Sequence, residues 1–106
     1  MSSMHSKKYK EYIIDDYEYL ELKYFCLRHG SNNFKKGESD KKDKEITMIE
    51  TALLLAAEEP IRKFIKKSIA SKHMPYERLG EVPMGRQQFY EARRKFFYIL
   101  KTLKMG

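Results

Sequence analysis

The stretch PYERLGEVPMGRQQFYEARRKFFYIL, residues 75–100, decides the fold that we expect. Glycine and proline are so dense between Gly80 and Gly85 that the chain cannot stay helical there. After this turn, apolar residues recur every three or four positions, which is the period of an amphipathic helix, at Phe89, Ala92, Phe96, Ile99 and Leu103. We predict a turn and then a long last helix from Arg86 to Leu103, whose start is marked by either Pro83 or Gly85.

The segment before this stretch predicts a pair of helices. Pro60 breaks the preceding pattern, because a proline is tolerated in a first helical turn but not inside a helix. From Ile61 onwards apolar residues alternate with cationic ones, namely Arg62, Lys63, Lys66, Lys67 and Lys72. Met74 and Pro75 then open a short helix through Tyr76 and Leu79. A long helix, a short helix, a turn and a last helix are the order of a helix-turn-helix module over residues 61–103.

The N-terminal part predicts one helix, from Ser6 to about His29. Its apolar residues follow four-and-three spacing at Tyr9, Ile13, Tyr17, Leu20, Tyr24 and Leu27. Acidic residues fill the other side, at Asp15, Asp16, Glu18 and Glu21, and Gly30 supplies a stop. This seam suits another helix of the same chain or a second copy of the chain. Its shortness favours the same chain, since coiled coils need three to four heptads.

Residues 30–46 predict a flexible polar loop, because Phe34 is the only large apolar residue between Gly30 and Glu45. A capping box, Thr47 to Glu50, then predicts the start of the next helix. The fold class is therefore all-α in one domain over residues 1–106, with four to five helices and the first packed over the others. The expected core consists of Tyr17, Leu20, Tyr24, Leu53, Ile61, Phe64, Ile65, Leu79, Phe89, Phe96 and Ile99.

The amino-acid composition and the distribution of charge favour some classes of function and exclude others. The chain has 106 residues, of which 35% are charged, and its net charge is +7. Residues 1–59 hold ten Lys/Arg against twelve Asp/Glu, a net charge of −2, whereas residues 60–106 hold twelve against three, a net charge of +9. One sign concentrated in one half is typical of a surface that binds a polyanion. The single cysteine, the scattered histidines and the lack of long apolar runs predict a cytoplasmic protein without disulfide, metal, cofactor or membrane span.

Candidate DNA contacts lie on the side of the last helix opposite its apolar residues. Arginine can donate two hydrogen bonds to guanine and glutamine can pair with adenine, while tyrosine reaches phosphate or a thymine methyl. The residues concerned are Arg86, Gln87, Tyr90, Arg93 and Arg94. Side chains suited to phosphate lie on the preceding helices, at Lys63, Lys66, Lys67 and Arg78. The alternative for each of these residues is an ordinary solvated helix face.

Residues 75–100 also resemble the C-terminal helix-turn-helix of phage-type late transcription regulators of the RinA/ArpU class, which is itself similar to region four of sigma factors. The layout of the rest of the chain is similar to the class more loosely. The resemblance implies promoter-proximal DNA binding and the regulation of phage or prophage genes, with core positions at Tyr76 and Leu79 and a recognition helix containing Arg86, Gln87, Tyr90 and Arg93. The turn departs from the family pattern through Pro83 and Gly85.

Two other functions compete with DNA binding. Catalysis is not expected, because the sequence has no phosphate-binding glycine motif, and Cys26 has no base nearby in the sequence. A small helical adaptor is the stronger alternative. In that hypothesis the aromatic residues Tyr17, Tyr24 and Phe25 would bind a protein partner such as RNA polymerase or a DNA-packaging component. Helix-turn-helix proteins often dimerise, and the sequence leaves the choice between monomer and homodimer open.

Overall fold

The structure is a computed structural model that describes residues 12–106, and it confirms the all-α prediction. No β-strand occurs in this part of the chain. Four α-helices and one short 3₁₀ helix follow one another: α1 Asp16–Gly30, α2 Asp40–Ala56, α3 Ile61–Ile69, the 3₁₀ helix Tyr76–Arg78 and α4 Arg86–Met105. Helix α1 packs against the other three α-helices, as predicted.

Helix α4 lies at the centre of the fold. Its buried side chains interlock mainly with those of α2, and they are Phe89, Phe96, Phe97, Ile99 and Leu100. On α2 the matching set is Ile46, Ile49, Ala52, Leu53 and Ala56. In the predicted helix-turn-helix module α4 would enter the major groove and so be held out from the body of the domain. In the structure the two ends of α4 are exposed, at residues 86–88 and at Thr102, Lys104 and Met105, whereas the middle of the helix carries core side chains.

Helix α1 begins later than predicted. The Asp15 carboxylate accepts a hydrogen bond of 2.8 Å from the backbone N–H of Glu18, and the Glu18 carboxylate accepts one of 3.2 Å from the N–H of Asp15. This reciprocal capping box fixes the start at Asp16. Residues 12–15 are therefore not helical, and the earlier part of the predicted helix, which includes Tyr9, lies outside the described residues.

The side of α1 that faces the core is also different from the prediction. The buried residues are Leu22, Phe25, Cys26 and His29. The predicted seam residues Tyr17, Leu20 and Tyr24 are instead 86%, 44% and 52% exposed. Their placement in the core was wrong because α1 has apolar residues on two sides, and the tyrosines can keep their hydroxyl groups in water while Leu22 and Phe25 cannot gain from exposure.

The loop between α1 and α2 is shorter and more ordered than predicted. Helix α2 begins at Asp40, where Ser39 accepts a hydrogen bond from the N–H of Lys42, and not at Thr47. Phe34 is buried. The predicted flexible segment therefore contains the first turns of a helix, whose lysines and glutamates have good helix propensity.

Two contacts tie the end of α1 to its neighbours. The buried His29 Nε2 lies 2.7 Å from the Glu45 carboxylate of α2. Gly30 is the last residue of α1, and a Cβ atom there would lie 2.5 Å from the Ala70 Cα after α3. Gly30 therefore allows a close approach of two backbones, beyond the helix-stop role that its position suggested.

The order of elements predicted for the second half of the chain is confirmed. The helical pattern breaks at Pro60, α3 starts at Ile61, residues 80–85 form the turn and α4 starts after Gly85 and not at Pro83. The predicted short helix is a single 3₁₀ turn. Ile61 and Phe64 are half-buried. The predicted core residues that the structure buries are Leu53, Ile65, Leu79, Phe89, Phe96 and Ile99.

Candidate nucleic-acid interface

An open cleft lies where α1, the end of α3, the 3₁₀ helix and α4 meet. Its volume is about 500 Å³. Its lining consists of Lys23, Ser68, Ser71, Lys72, His73, Met74, Pro75, Arg78, Tyr90 and Arg93. Four of these side chains carry a permanent positive charge and none is a carboxylate, so the cleft is suited to an anion.

Hydrogen bonds from aromatic side chains hold the wall of this cleft in place. The Tyr90 hydroxyl of α4 accepts a bond of 3.1 Å from the backbone N–H of Tyr76. The Tyr76 hydroxyl in turn donates a bond of 2.7 Å to the carbonyl of Met84 in the turn. The rings of Tyr76 and Tyr90 also pack on the buried Phe89. These contacts fix the 3₁₀ helix, and with it Arg78, against α4.

Arg93 forms the inner wall of the cleft. Its guanidinium lies over the Phe97 ring, 5.0 Å from the centroid, and one terminal nitrogen donates a bond of 3.1 Å to the Tyr19 hydroxyl. Its Nε is buried and has no hydrogen-bond partner among residues 12–106. A buried donor without a partner is uncommon in folded proteins. Arg93 therefore contributes fixed positive charge to the cleft.

The exposed first turn of α4 adjoins the cleft. The Arg86 guanidinium lies over the Tyr90 ring, 5.3 Å from its centroid, and its Nε donates a bond of 3.0 Å to the Glu77 carboxylate. Gln87 is exposed beside it. Gly85 gives the helix no side-chain cap, and the first turn holds no acidic residue. The N–H groups and the positive dipole end of α4 therefore face outwards next to Arg86.

The structure separates the predicted base-contacting residues into two groups. Arg86 and Gln87 are exposed on the first turn, and Tyr90 lies at the cleft edge. Arg93 and Arg94 are half-buried, because the N-terminal part of the chain packs over them, and the Arg94 Nε donates a bond of 2.8 Å to the carbonyl of Tyr12. Of the five predicted base-contacting residues, only Arg86 and Gln87 are therefore fully exposed.

The predicted phosphate contacts are also divided. Arg78 lines the basic cleft. Lys63 and Lys66 line a different groove, which they share with Glu50, Leu53, Leu54, Glu59 and Arg62. Lys66 also lies over the buried Phe34 ring, 5.4 Å from its centroid. Lys67 is exposed and lines neither the cleft nor this groove. The structure therefore does not bring Lys63 or Lys66 next to the first turn of α4.

Sequence reasoning missed several residues of the cleft as candidate ligands. Lys72 was grouped with the cationic residues of α3, and His73, Ser68 and Ser71 carried no motif. Lys23 belongs to the acidic N-terminal half, and only the packing of α1 brings it beside Arg93. No local signal in the sequence could have found it.

The described residues were also compared with the requirements of a metal site, a membrane span and a reactive thiol. Residues 12–106 contain no group of three or more side chains that could hold a metal ion. None of their helices has the length and apolar character needed to cross a membrane. Burial raises the pKa of the Cys26 thiol to about 12, against the opposing effect of the positive charges of Arg93 and Lys104.

The comparisons with known proteins find no relative. The chain matches no protein-family model, and no curated protein or solved structure is significantly similar to it. The function of the site therefore has to follow from its own geometry.

Proposed function

We propose that this protein binds duplex DNA, with the basic cleft holding a phosphate group and the first turn of α4 lying against the base edges. The observation that carries the proposal is the composition of the cleft. Lys23, Lys72, Arg78 and Arg93 come from four separate segments of the chain, and no carboxylate is among the lining residues. Backbone phosphates contribute much of the affinity of proteins for DNA, and such a cluster of cations suits them.

The position of Arg86 and Gln87 supports the second half of the proposal. Both are exposed on the leading turn of a helix, which is the part of a recognition helix that enters the major groove. The Glu77 partner of Arg86 is itself 61% exposed. Exposed ion pairs of this kind contribute little free energy, so Arg86 can exchange the carboxylate for a guanine edge at low cost.

Transcription regulation is the role that we propose for this DNA binding. It rests on the resemblance of residues 75–100 to phage-type late regulators and of those regulators to region four of sigma factors. RNA polymerase is the protein partner that we propose for this role. The adaptor alternative loses part of its support. Phe25, one of the three residues expected to bind a partner, is only 2% exposed and is therefore not available for contact.

The cleft is tested by two double variants that each remove two positive charges. Lys72→Ala with Arg78→Ala removes two cations of the cleft, and Lys63→Ala with Lys66→Ala removes two cations of the other groove. The first pair should weaken binding to all duplexes and flatten the slope of log affinity against log salt by about one unit for each phosphate that is no longer neutralised. The second pair should change the slope much less. The reverse result would place the phosphate contacts on α3, as the sequence suggested.

The first turn of α4 is tested by selectivity. A duplex enriched from a random pool is compared with a scrambled duplex at several salt concentrations. For the wild type, the enriched duplex should bind with a more favourable free energy than the scrambled one. Arg86→Ala or Gln87→Ala should reduce this difference by about 1 to 3 kcal/mol, which is the contribution of a bidentate hydrogen bond to a base edge. Melting curves confirm that each variant is folded. If no site is enriched and none of these variants changes binding, the DNA proposal is wrong.

A further inference from the structure

A row of exposed apolar side chains follows α1 and the segment that leads into it. On α1, Tyr17, Leu20 and Tyr24 stand at intervals of three and four residues, and Ile13, in the non-helical segment before the helix, is 68% exposed. Single exposed apolar residues are ordinary, but a continuous row on one side of a helix marks an interaction surface. No element among residues 12–106 covers this row, because α1 turns its other side to the core.

Charged residues flank the row in an ordered way. Asp16 and Glu21 lie in the N-terminal half of α1, Lys23 is its middle residue, and Arg28 lies in its last turn. Within residues 12–106 none of the four forms an ion pair. Along this surface the helix therefore carries negative charge at its beginning and positive charge towards its end.

We propose that this surface binds a second copy of the chain, with the two α1 helices antiparallel. In that orientation the acidic half of each helix lies against the basic half of the other, while Tyr17, Leu20 and Tyr24 pack between them. A parallel pair would place like charges side by side, which is unfavourable. The charges of the surface are complementary about a two-fold axis perpendicular to α1, and two-fold symmetry is the symmetry of most homodimers.

The size of the surface sets the expected strength. Helix α1 has 15 residues and is about 22 Å long, so the contact belongs to the small interfaces that form weak, reversible complexes. The dimer should therefore appear as protein concentration rises into the high micromolar range. This proposal does not depend on DNA binding, since its measurements use the protein alone.

The charge pattern is tested with two reversed variants. In one, Asp16→Lys and Glu21→Lys make the flanks entirely positive, and in the other, Lys23→Glu and Arg28→Glu make them entirely negative. Sedimentation equilibrium should show a concentration-dependent dimer for the wild type and a monomer for each variant alone. An equimolar mixture of the two variants should form a heterodimer. A wild-type monomer throughout, or dimers of each variant alone, would overturn the proposal.

The apolar row is tested against a matched surface. Tyr17→Ser with Tyr24→Ser should abolish the dimer, whereas Leu54→Ser with Leu55→Ser, two exposed apolar residues of α2, should leave it unchanged. Dimers that survive the first pair of substitutions, or that disappear with the second pair, would overturn the assignment to α1. Melting curves confirm folding.

The orientation is tested with Ser31→Cys, just after the end of α1. In an antiparallel dimer the two engineered thiols are about 20 Å or more apart and cannot form a disulfide, whereas in a parallel dimer they are neighbours. The native Cys26 is buried and does not interfere. Under oxidising conditions the variant should dimerise without forming a disulfide, and a disulfide-linked dimer would overturn the antiparallel arrangement.

Discussion

Helical spacing of apolar residues predicts a buried side for both α1 and α4, and the structure buries the predicted residues of α4 but exposes those of α1. Both have apolar residues at helical spacing. In α4 the predicted residues Phe89, Phe96 and Ile99 are buried, whereas in α1 the predicted residues Tyr17, Leu20 and Tyr24 are exposed. Both segments form helices. They differ in how clearly the sequence distinguishes the side that is buried.

The chemistry of the other side explains this difference. Away from its apolar side α4 carries Arg86, Gln87 and Arg94, which cannot replace phenylalanine in a core. Opposite its predicted seam α1 carries Leu22, Phe25 and Cys26, which can. A helix with one apolar side is oriented by its own sequence, and a helix with two is oriented by the elements that pack against it.

The strongest test of this comparison replaces one aromatic residue on each helix. Phe96→Ala removes a fully buried side chain and should lower the free energy of unfolding by about 3 to 5 kcal/mol. Tyr17→Ala removes an exposed one and should change it by less than about 0.5 kcal/mol. Denaturant melts at low protein concentration, where dimers are absent, measure both. Similar losses for the two variants would contradict the orientation of α1.

A second test concerns the buried side of α1 at its end. Gly30→Ala places a Cβ atom against the Ala70 backbone and should cost about 1 to 3 kcal/mol, as overpacking does. Ser31→Ala, one residue later on the exposed side, should cost less than about 0.5 kcal/mol. Thermal melts compare the two variants. A neutral Gly30→Ala would mean that the backbones of α1 and the end of α3 are not in contact.

A third test compares two arginines of α4 that the sequence places in one predicted site. Arg94→Ala removes the hydrogen bond to the Tyr12 carbonyl and should cost about 1.5 kcal/mol. Arg86→Ala removes an exposed ion pair with Glu77 and the contact of the guanidinium with the Tyr90 ring, and it should change the free energy of unfolding by less than about 1 kcal/mol. Hydrogen exchange at residues 12–15 should accelerate only in the Arg94 variant. Faster exchange in both variants would show that Arg86 also supports the fold.

The smallest expected effect concerns Glu77 and rests on the proposed DNA binding. Glu77→Gln removes the negative charge beside Arg86 and should strengthen binding to DNA by a factor of about two to five, the size of an exposed ion pair. The free energy of unfolding should not change measurably. Glu81→Gln, an exposed acidic residue of the turn without an ion pair to Arg86, is the control for net charge. Equal effects of the two substitutions would mean that Arg86 has no special role.

The breaks between helices, the position of α4 and the uneven distribution of charge follow from local features of the sequence. Pro60 and the residues from Gly80 to Gly85 end helices wherever they occur, so the breaks before α3 and α4 were predictable. The apolar spacing of α4 predicted where the helix starts and the burial of Phe89, Phe96 and Ile99, but it did not predict the buried Phe97 and Leu100. The excess of positive charge after residue 60 is a property of composition alone, and by itself it indicates a polyanion as partner.

The tertiary structure decided what depends on distant neighbours. Burial stabilises a side chain only where another surface meets it, so the sequence of α1 could not show which of its apolar sides faces the core. The sequence also offers other residues that can cap a helix, such as Thr47. The folded structure uses Asp15 and Ser39 as the caps of α1 and α2. The cleft exists only because α1 packs beside α4, which brings Lys23 next to Arg93, while the same packing engages Arg94 and leaves Arg86 exposed. Electrostatic fields add over space and not along the chain, and for that reason the candidate site could be located only in the folded protein.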